Sequence, residues 1–119
     1  MKTYKDLTVW QKSIELVIAI YKLTEEFPKE EIYGLTSQIK RAAVSIPSNI
    51  AEGKMRGGNI EFKRYLYIAL ASGAELETQI IISKRLPKNF KLDYNKVDSL
   101  LEEIMKMLNK LISQLEPGN

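Results

Sequence analysis

The 119-residue sequence contains no cysteine and no histidine. Without cysteine there is no disulfide scaffold, no thiol redox chemistry and no thiolate metal site. Without histidine the chain lacks the commonest metal ligand and the commonest general acid or base. Long apolar runs are missing too. The longest stretches free of charge, Ala42–Ala51 and Tyr65–Ala74, are ten residues each, half of the about 20 needed to span a bilayer. Lys12 and Glu15 interrupt the first apolar segment, which therefore lacks the unbroken stretch of a secretory leader. The expectation is a soluble cytoplasmic protein with no membrane partner. No low-complexity linker or repeat divides the chain. What is present, 45% apolar and 28% charged residues, suits one folded domain with one core. A net charge of +3 permits a nucleic-acid partner without demanding one.

Apolar spacing predicts four helices, at about 8–27, 35–53, 59–86 and 93–115. The first opens on Thr8-Val9-Trp10-Gln11, which reads as a capping box. It carries two apolar stripes and stops before Pro28. The second follows Gly34, is expected to kink or break briefly near Val44–Ile46 ahead of Pro47, and ends at Gly53. The third, roughly 40 Å long at 1.5 Å per residue, ends before Pro87. The fourth takes Asp93 as N-cap, and its Val97, Leu101, Ile104, Leu108, Leu111 and Leu115 alternate in steps of four and three, the spacing of a bundle seam. Short connections make consecutive helices antiparallel, so the fold class is all-α, an up-down-up-down antiparallel four-helix bundle. The first helix has no polar residue from Leu16 to Tyr21. Such a broad face either fills a thick core or is covered by another subunit.

The second helix also carries a polar stripe, Gln38, Arg41, Ser45, Asn49 and Glu52, at helical steps. Pairing across a turn at Arg56–Gly57 sets opposite one another residues whose numbers add to about 113. Arg41 then faces Ser72 and Glu75, Gln38 faces Glu75, and Glu52 faces Arg64. One reading is an interhelical hydrogen-bond network that sets register. Others are a binding or catalytic patch, or a solvated face. Glu75 and Glu77 do not make a di-metal centre: carboxylate di-iron bundles use Glu-x-x-His pairs, and these two residues point about 200° apart. No metal, no cofactor and no enzymatic activity are expected.

Charge is uneven. Residues 40–64 hold Lys40, Arg41, Lys54, Arg56, Lys63 and Arg64 against Glu52 and Glu61, a local +4. Lys54, Arg56, Lys63 and Arg64 flank the turn Gly57-Gly58-Asn59, which opens a helix whose free amides attract anions. A second basic group, Lys84, Arg85, Lys88 and Lys91, shares its pole with Glu25, Glu26, Glu30 and Glu31 and is locally balanced. The Gly57 turn is therefore the better candidate for RNA or DNA phosphates, with plain solvated charge as the alternative. The glycine pair fits neither a P-loop nor a dinucleotide fingerprint, since no strand precedes it. A helix-turn-helix over Ile46–Leu66 would need a recognition helix about three times the usual length, most of it core.

Residues 33–53, YGLTSQIKRAAVSIPSNIAEG, resemble the signature of the four-helix-bundle proteins encoded by intervening sequences in bacterial 23S ribosomal RNA genes. Supporting pieces are Asp6-Leu7, Val9-Trp10-Gln11-Lys12, Phe27-Pro28, Arg56, Glu61-Phe62 and Glu75-Leu76-Glu77-Thr78-Gln79. Ala71 departs from the family's usual Gly, and Leu86-Pro87 from its usual Leu-Gly helix end. The resemblance implies a homopentamer with a central channel, no known enzymatic activity, and an RNA- or ribosome-associated role. The partners to expect are other copies of the chain, RNA or DNA, and a ribosomal or polymerase protein. The leading expectation is a non-enzymatic oligomeric bundle contacting nucleic-acid phosphates through Lys54, Arg56, Lys63 and Arg64. The alternative is a protein-interaction scaffold with no direct nucleic-acid contact.

Overall fold

A computed structural model describes residues 3–115. Within them lie four α-helices, α1 (Thr8–Thr24), α2 (Leu35–Met55), α3 (Asn59–Lys84) and α4 (Asn95–Leu115), two short 3-10 turns (Tyr4–Asp6 and Lys29–Glu31), and no strand. The helices neighbour one another in the cyclic order α1, α2, α3, α4 and back to α1, with neither diagonal pair in contact. The particle measures 48 × 22 × 20 Å. No helix among the described residues is long and apolar enough to cross a membrane.

Side-chain contacts fix the directions. Ser45 on α2 bonds Ser72 on α3, and Glu52 bonds Tyr65, so rising numbers on one helix meet falling numbers on the other. Lys84 on α3 meets Asp98 on α4, while Gly73 lies against Met105. Lys12 on α1 meets Glu103 on α4, whereas the far ends of α1 and α4 share a groove holding Leu23 and Val97. Each of these pairs is antiparallel. Leu16, Ile20, Ile39, Ile46, Ile50, Leu66, Leu76, Ile104 and Leu108 are fully buried between the helices. Each such side chain contributes about 1.5–3 kcal/mol on leaving water.

Several local expectations change. Thr8 does not cap α1: Leu7 occupies the cap without a side-chain bond, and Thr3 forms a capping box with Asp6 around the preceding 3-10 turn. Gln11 instead donates to the Lys5 carbonyl at 2.9 Å. Asp93 accepts from the Asn95 amide at 2.9 Å, the bond expected of a capping residue, and α4 begins at Asn95, one residue later than an N-cap at Asp93 implies. α2 runs unbroken through Pro47 and also through Gly53, on to Met55. Gly53 is a packing residue and not a stop. A Cβ there would sit 2.5 Å from the Tyr65 Cβ, so only glycine lets α3 approach this closely. The chain turns at Gly57, whose φ of 88° favours glycine.

Candidate nucleic-acid interface at the α2–α3 turn

Because α2 continues past Gly53, its register against α3 slips by about one helical turn. Facing residues have numbers adding to 117, as Ser45 with Ser72 and Glu52 with Tyr65 show. This slip divides the polar stripe. Ser45 and Ser72 share a hydrogen bond of 2.8 Å, and the Asn49 amide donates to the Ser45 carbonyl and hydroxyl at 2.8 and 2.9 Å. The Ser45–Ser72 bond ties the two helices beside the buried Ser72, while the Asn49 bonds stay within α2. Gln38, Arg41 and Glu75 take no part. All three are exposed and make no side-chain bond among the described residues. Position 76, which the shifted register sets opposite Arg41, is the fully buried Leu76, leaving Arg41 directed to solvent.

Glu52, at the lower end of the stripe, belongs to a charged cluster at the turn. Arg56 donates to the Glu52 carboxylate at 2.9 Å, and Tyr65 donates to the same oxygen at 3.3 Å. Glu61 pairs with Arg64 at 3.0 Å and lies 4.0 Å from Arg56. Both guanidinium groups lie over the Tyr65 ring, at 5.1 Å for Arg56 and 5.0 Å for Arg64. Tyr65 is itself buried, so it forms a fixed platform for two cations. In the sequence Tyr65 and its neighbour Tyr67 stand beside the turn as residues that could stack on bases or belong to the core; the structure buries Tyr65 and sets its ring under two guanidinium groups. The Arg56 hydrogen bond holds the Glu52 carboxyl below its ordinary pKa, despite partial desolvation working the other way. Lys54 sits 5.2 Å over the Phe62 ring, and Lys63 is half-buried beside Arg64.

The structure brings Lys54, Arg56, Lys63 and Arg64 to one end of the bundle, but with company. Four cations against Glu52 and Glu61 leave a net +2 at the turn. Lys40 and Arg41, the rest of the local +4, lie roughly 20 Å away along α2, and Lys40 covers the Tyr21 ring at 4.6 Å. Space around the turn is open: a Cβ on Gly57 or Gly58 would meet nothing within 4 Å. Gly58 caps α3 without a side-chain bond, so the first amides of α3 are left for an external acceptor. At the opposite pole Lys88 pairs with Glu30 at 3.0 Å and Lys84 with Asp98 at 2.6 Å. No group of three or more acidic residues among the described ones is placed to hold a metal ion.

One feature at that pole has no counterpart in the sequence pattern. The Tyr94 hydroxyl bonds Ser83 Oγ at 2.7 Å and donates to the Asn89 carbonyl at 3.0 Å, while the Asn89 amide donates to Ser83 Oγ at 3.2 Å. All three residues are buried. They pin the loop between α3 and α4, with the Tyr94 phenol pushed above its ordinary pKa by burial.

Comparison with known proteins places the fold. A solved structure described as a protein of unknown function from the S23 ribosomal protein family of Bacteroides thetaiotaomicron is similar with a TM-score of 0.75 at 26% identity, over 88% of this chain and 98% of that one. No curated protein matches the sequence. The family model for the 23S rRNA-intervening sequence protein matches residues 5–110. With that match over nearly the whole bundle, the chain belongs to the 23S rRNA-intervening sequence protein family.

Proposed function

We propose that this chain is a non-enzymatic, cytoplasmic helical bundle that assembles with copies of itself and contacts nucleic-acid phosphates through the α2–α3 turn. The observation that carries the reading is the fixed pair of guanidinium groups, Arg56 and Arg64, over the buried Tyr65 ring at an open helix start. Guanidinium forks suit phosphate oxygens, and pre-positioning reduces the ordering cost of the contact. Lys54 and Lys63 add charge without needing a defined geometry. The family's link to 23S ribosomal RNA genes makes RNA the first ligand to try, with DNA as its comparison. Self-assembly is supported by half-exposed Ile18, Tyr21, Ile81 and Ile82 on otherwise folded helices. The family resemblance implies five copies.

The test is binding of generic duplex RNA and DNA across a salt series, by the wild-type chain and by a variant with Lys54, Arg56, Lys63 and Arg64 all changed to Ala. Salt-sensitive binding that the variant loses supports the reading. Binding that ignores salt, or persists in the variant, removes it. The scaffold reading is favoured by the same exposed isoleucines, and it expects a protein partner that stays bound through nuclease treatment of a native extract.

A further inference from the structure

Among the described residues three buried side-chain atoms lack a hydrogen-bond partner, Thr36 Oγ1, Gln79 Oε1 and Asn89 Oδ1. A hydroxyl such as that of Thr36 can turn to donate or accept, and the Gln79 amide makes no bond through its nitrogen either, so it can be turned over. Asn89 has no such freedom. Tyr94 gives its single O–H to the Asn89 carbonyl, so the Ser83 hydrogen goes to Tyr94, and Ser83 Oγ is left to accept from the Asn89 amide. The amide nitrogen is thereby held on Ser83, and Oδ1 is turned away from Ser83 with no donor. Asn89 is 1% exposed. A buried acceptor left unpaired is costly, and one whose orientation is fixed by its neighbours calls for a donor from outside the chain.

Asn89 forms part of the wall of an open cavity of about 280 Å³, where the segment after α1 meets the segment after α3. Pro28, Leu86 and Pro87 give the cavity apolar sides, and Glu30 and Glu31 bring two carboxylates to it. Glu30 accepts from Lys88 at 3.0 Å and Glu31 accepts from the Leu35 amide at 3.4 Å, each through one oxygen, which leaves each carboxylate its second oxygen. Two carboxylates against Lys88 give the lining a net charge of −1. The unfilled polar groups are therefore all acceptors, in a negative setting, beside carbon surface. An anion is repelled there. A bare hard cation needs six or more oxygens around it, which proline and leucine walls do not supply. What matches is a cation that carries N–H donors at one end and carbon at the other.

We propose that this cavity binds a primary alkylammonium group, with its N–H donors on Asn89 Oδ1 and the free oxygens of Glu30 and Glu31 and its carbon chain along Pro28, Leu86 and Pro87. The ammonium can belong to a free amine or to a lysine side chain of another protein. The cavity lies at the pole opposite the Gly57 turn and does not depend on nucleic-acid contact there.

The experiment titrates the isotope-labelled full chain with n-butylammonium chloride and follows the Asn89 side-chain amide by NMR. A saturable shift of that amide is expected. Shortening the probe to propylammonium and then ethylammonium should weaken binding about fourfold for each CH₂ removed. Tetramethylammonium, with the same charge and no N–H, should leave the amide in place. Lys88→Met removes the cation that competes for Glu30 and should tighten butylammonium binding about two- to fivefold, whereas Glu30→Gln should weaken it. The side chains of Lys88 and Glu30 are 69% and 66% exposed, so neither substitution disturbs the core. Nα-acetyl-lysine amide is the second probe: binding tighter than butylammonium assigns the site to a lysine side chain, weaker binding to a free amine, and either supports the site. No saturable shift with either probe would overturn the proposal, as would an equal response to tetramethylammonium or a Lys88→Met chain that binds butylammonium no more tightly than wild type.

Discussion

Replacing Glu61 by Gln is the perturbation that discriminates most sharply at the turn. Glu61 pairs with Arg64 at 3.0 Å and lies 4.0 Å from Arg56, so it offsets one positive charge where phosphate is to bind. Counterion release gives a slope of log affinity on log salt of about −0.9 per neutralised duplex phosphate. The net +2 at one engaged turn therefore corresponds to a slope of about −1.8, or an affinity loss of about 12-fold between 50 and 200 mM salt. Glu61→Gln raises the net charge by one, giving a slope of about −2.7 and a loss of about 40-fold over the same range. Because the ion pairs are solvent-exposed, the substitution costs about 0.2–1 kcal/mol of stability, and the fold is preserved. Fluorescence anisotropy with a generic labelled duplex reads the slope directly. An unchanged or shallower slope in Glu61→Gln would refute the placement of phosphate beside Arg56 and Arg64.

Tyr94→Phe removes the hydroxyl that serves both Ser83 and the Asn89 carbonyl, and stranding these buried groups should cost about 1–3 kcal/mol in denaturant unfolding. Burial raises the Tyr94 pKa above its ordinary 10.0, so the folded state holds that proton more tightly than the unfolded state. The associated stability is complete below pH about 10 and declines as pH rises through the raised folded value. Tyr94→Phe should flatten this alkaline decline, and an identical pH profile in the variant would count against the buried cluster. Gly53→Ala forces a Cβ to within 2.5 Å of Tyr65 and should destabilise by about 1–3 kcal/mol. Gly58→Ala, with open space around it, should cost only about 0.5 kcal/mol; equal effects in thermal melts would contradict the close α2–α3 approach.

The helices were legible because their signals are local. Val97 through Leu115 keep a bundle spacing that only a helix can bury on one side, and α1 and α3 end shortly before Pro28 and Pro87. The register was not legible, because Gly53 has two meanings in sequence. It can end a helix or admit a neighbouring one, and only the position of Tyr65 in space decides. That ambiguity moved Arg41 from an expected buried network to the surface, while the Ser45, Asn49 and Ser72 bonds formed without it. The site was legible as a cluster of Lys and Arg but not as a charge density. Glu52 and Glu61 look like part of a helix pattern until their carboxylates are found on Arg56 and Arg64. The Tyr94 cluster joins residues eleven apart through a loop, where no periodicity exists to announce it.

The most direct test of phosphate contact at the turn is hydrogen exchange of the full chain with and without a generic duplex RNA at low salt. Slower exchange is expected at the Asn59, Ile60 and Glu61 amides, which open α3 without a side-chain cap, and at no helix start elsewhere. Saturating RNA that leaves those amides unchanged, or protects the charged face of α4 instead, would contradict the account.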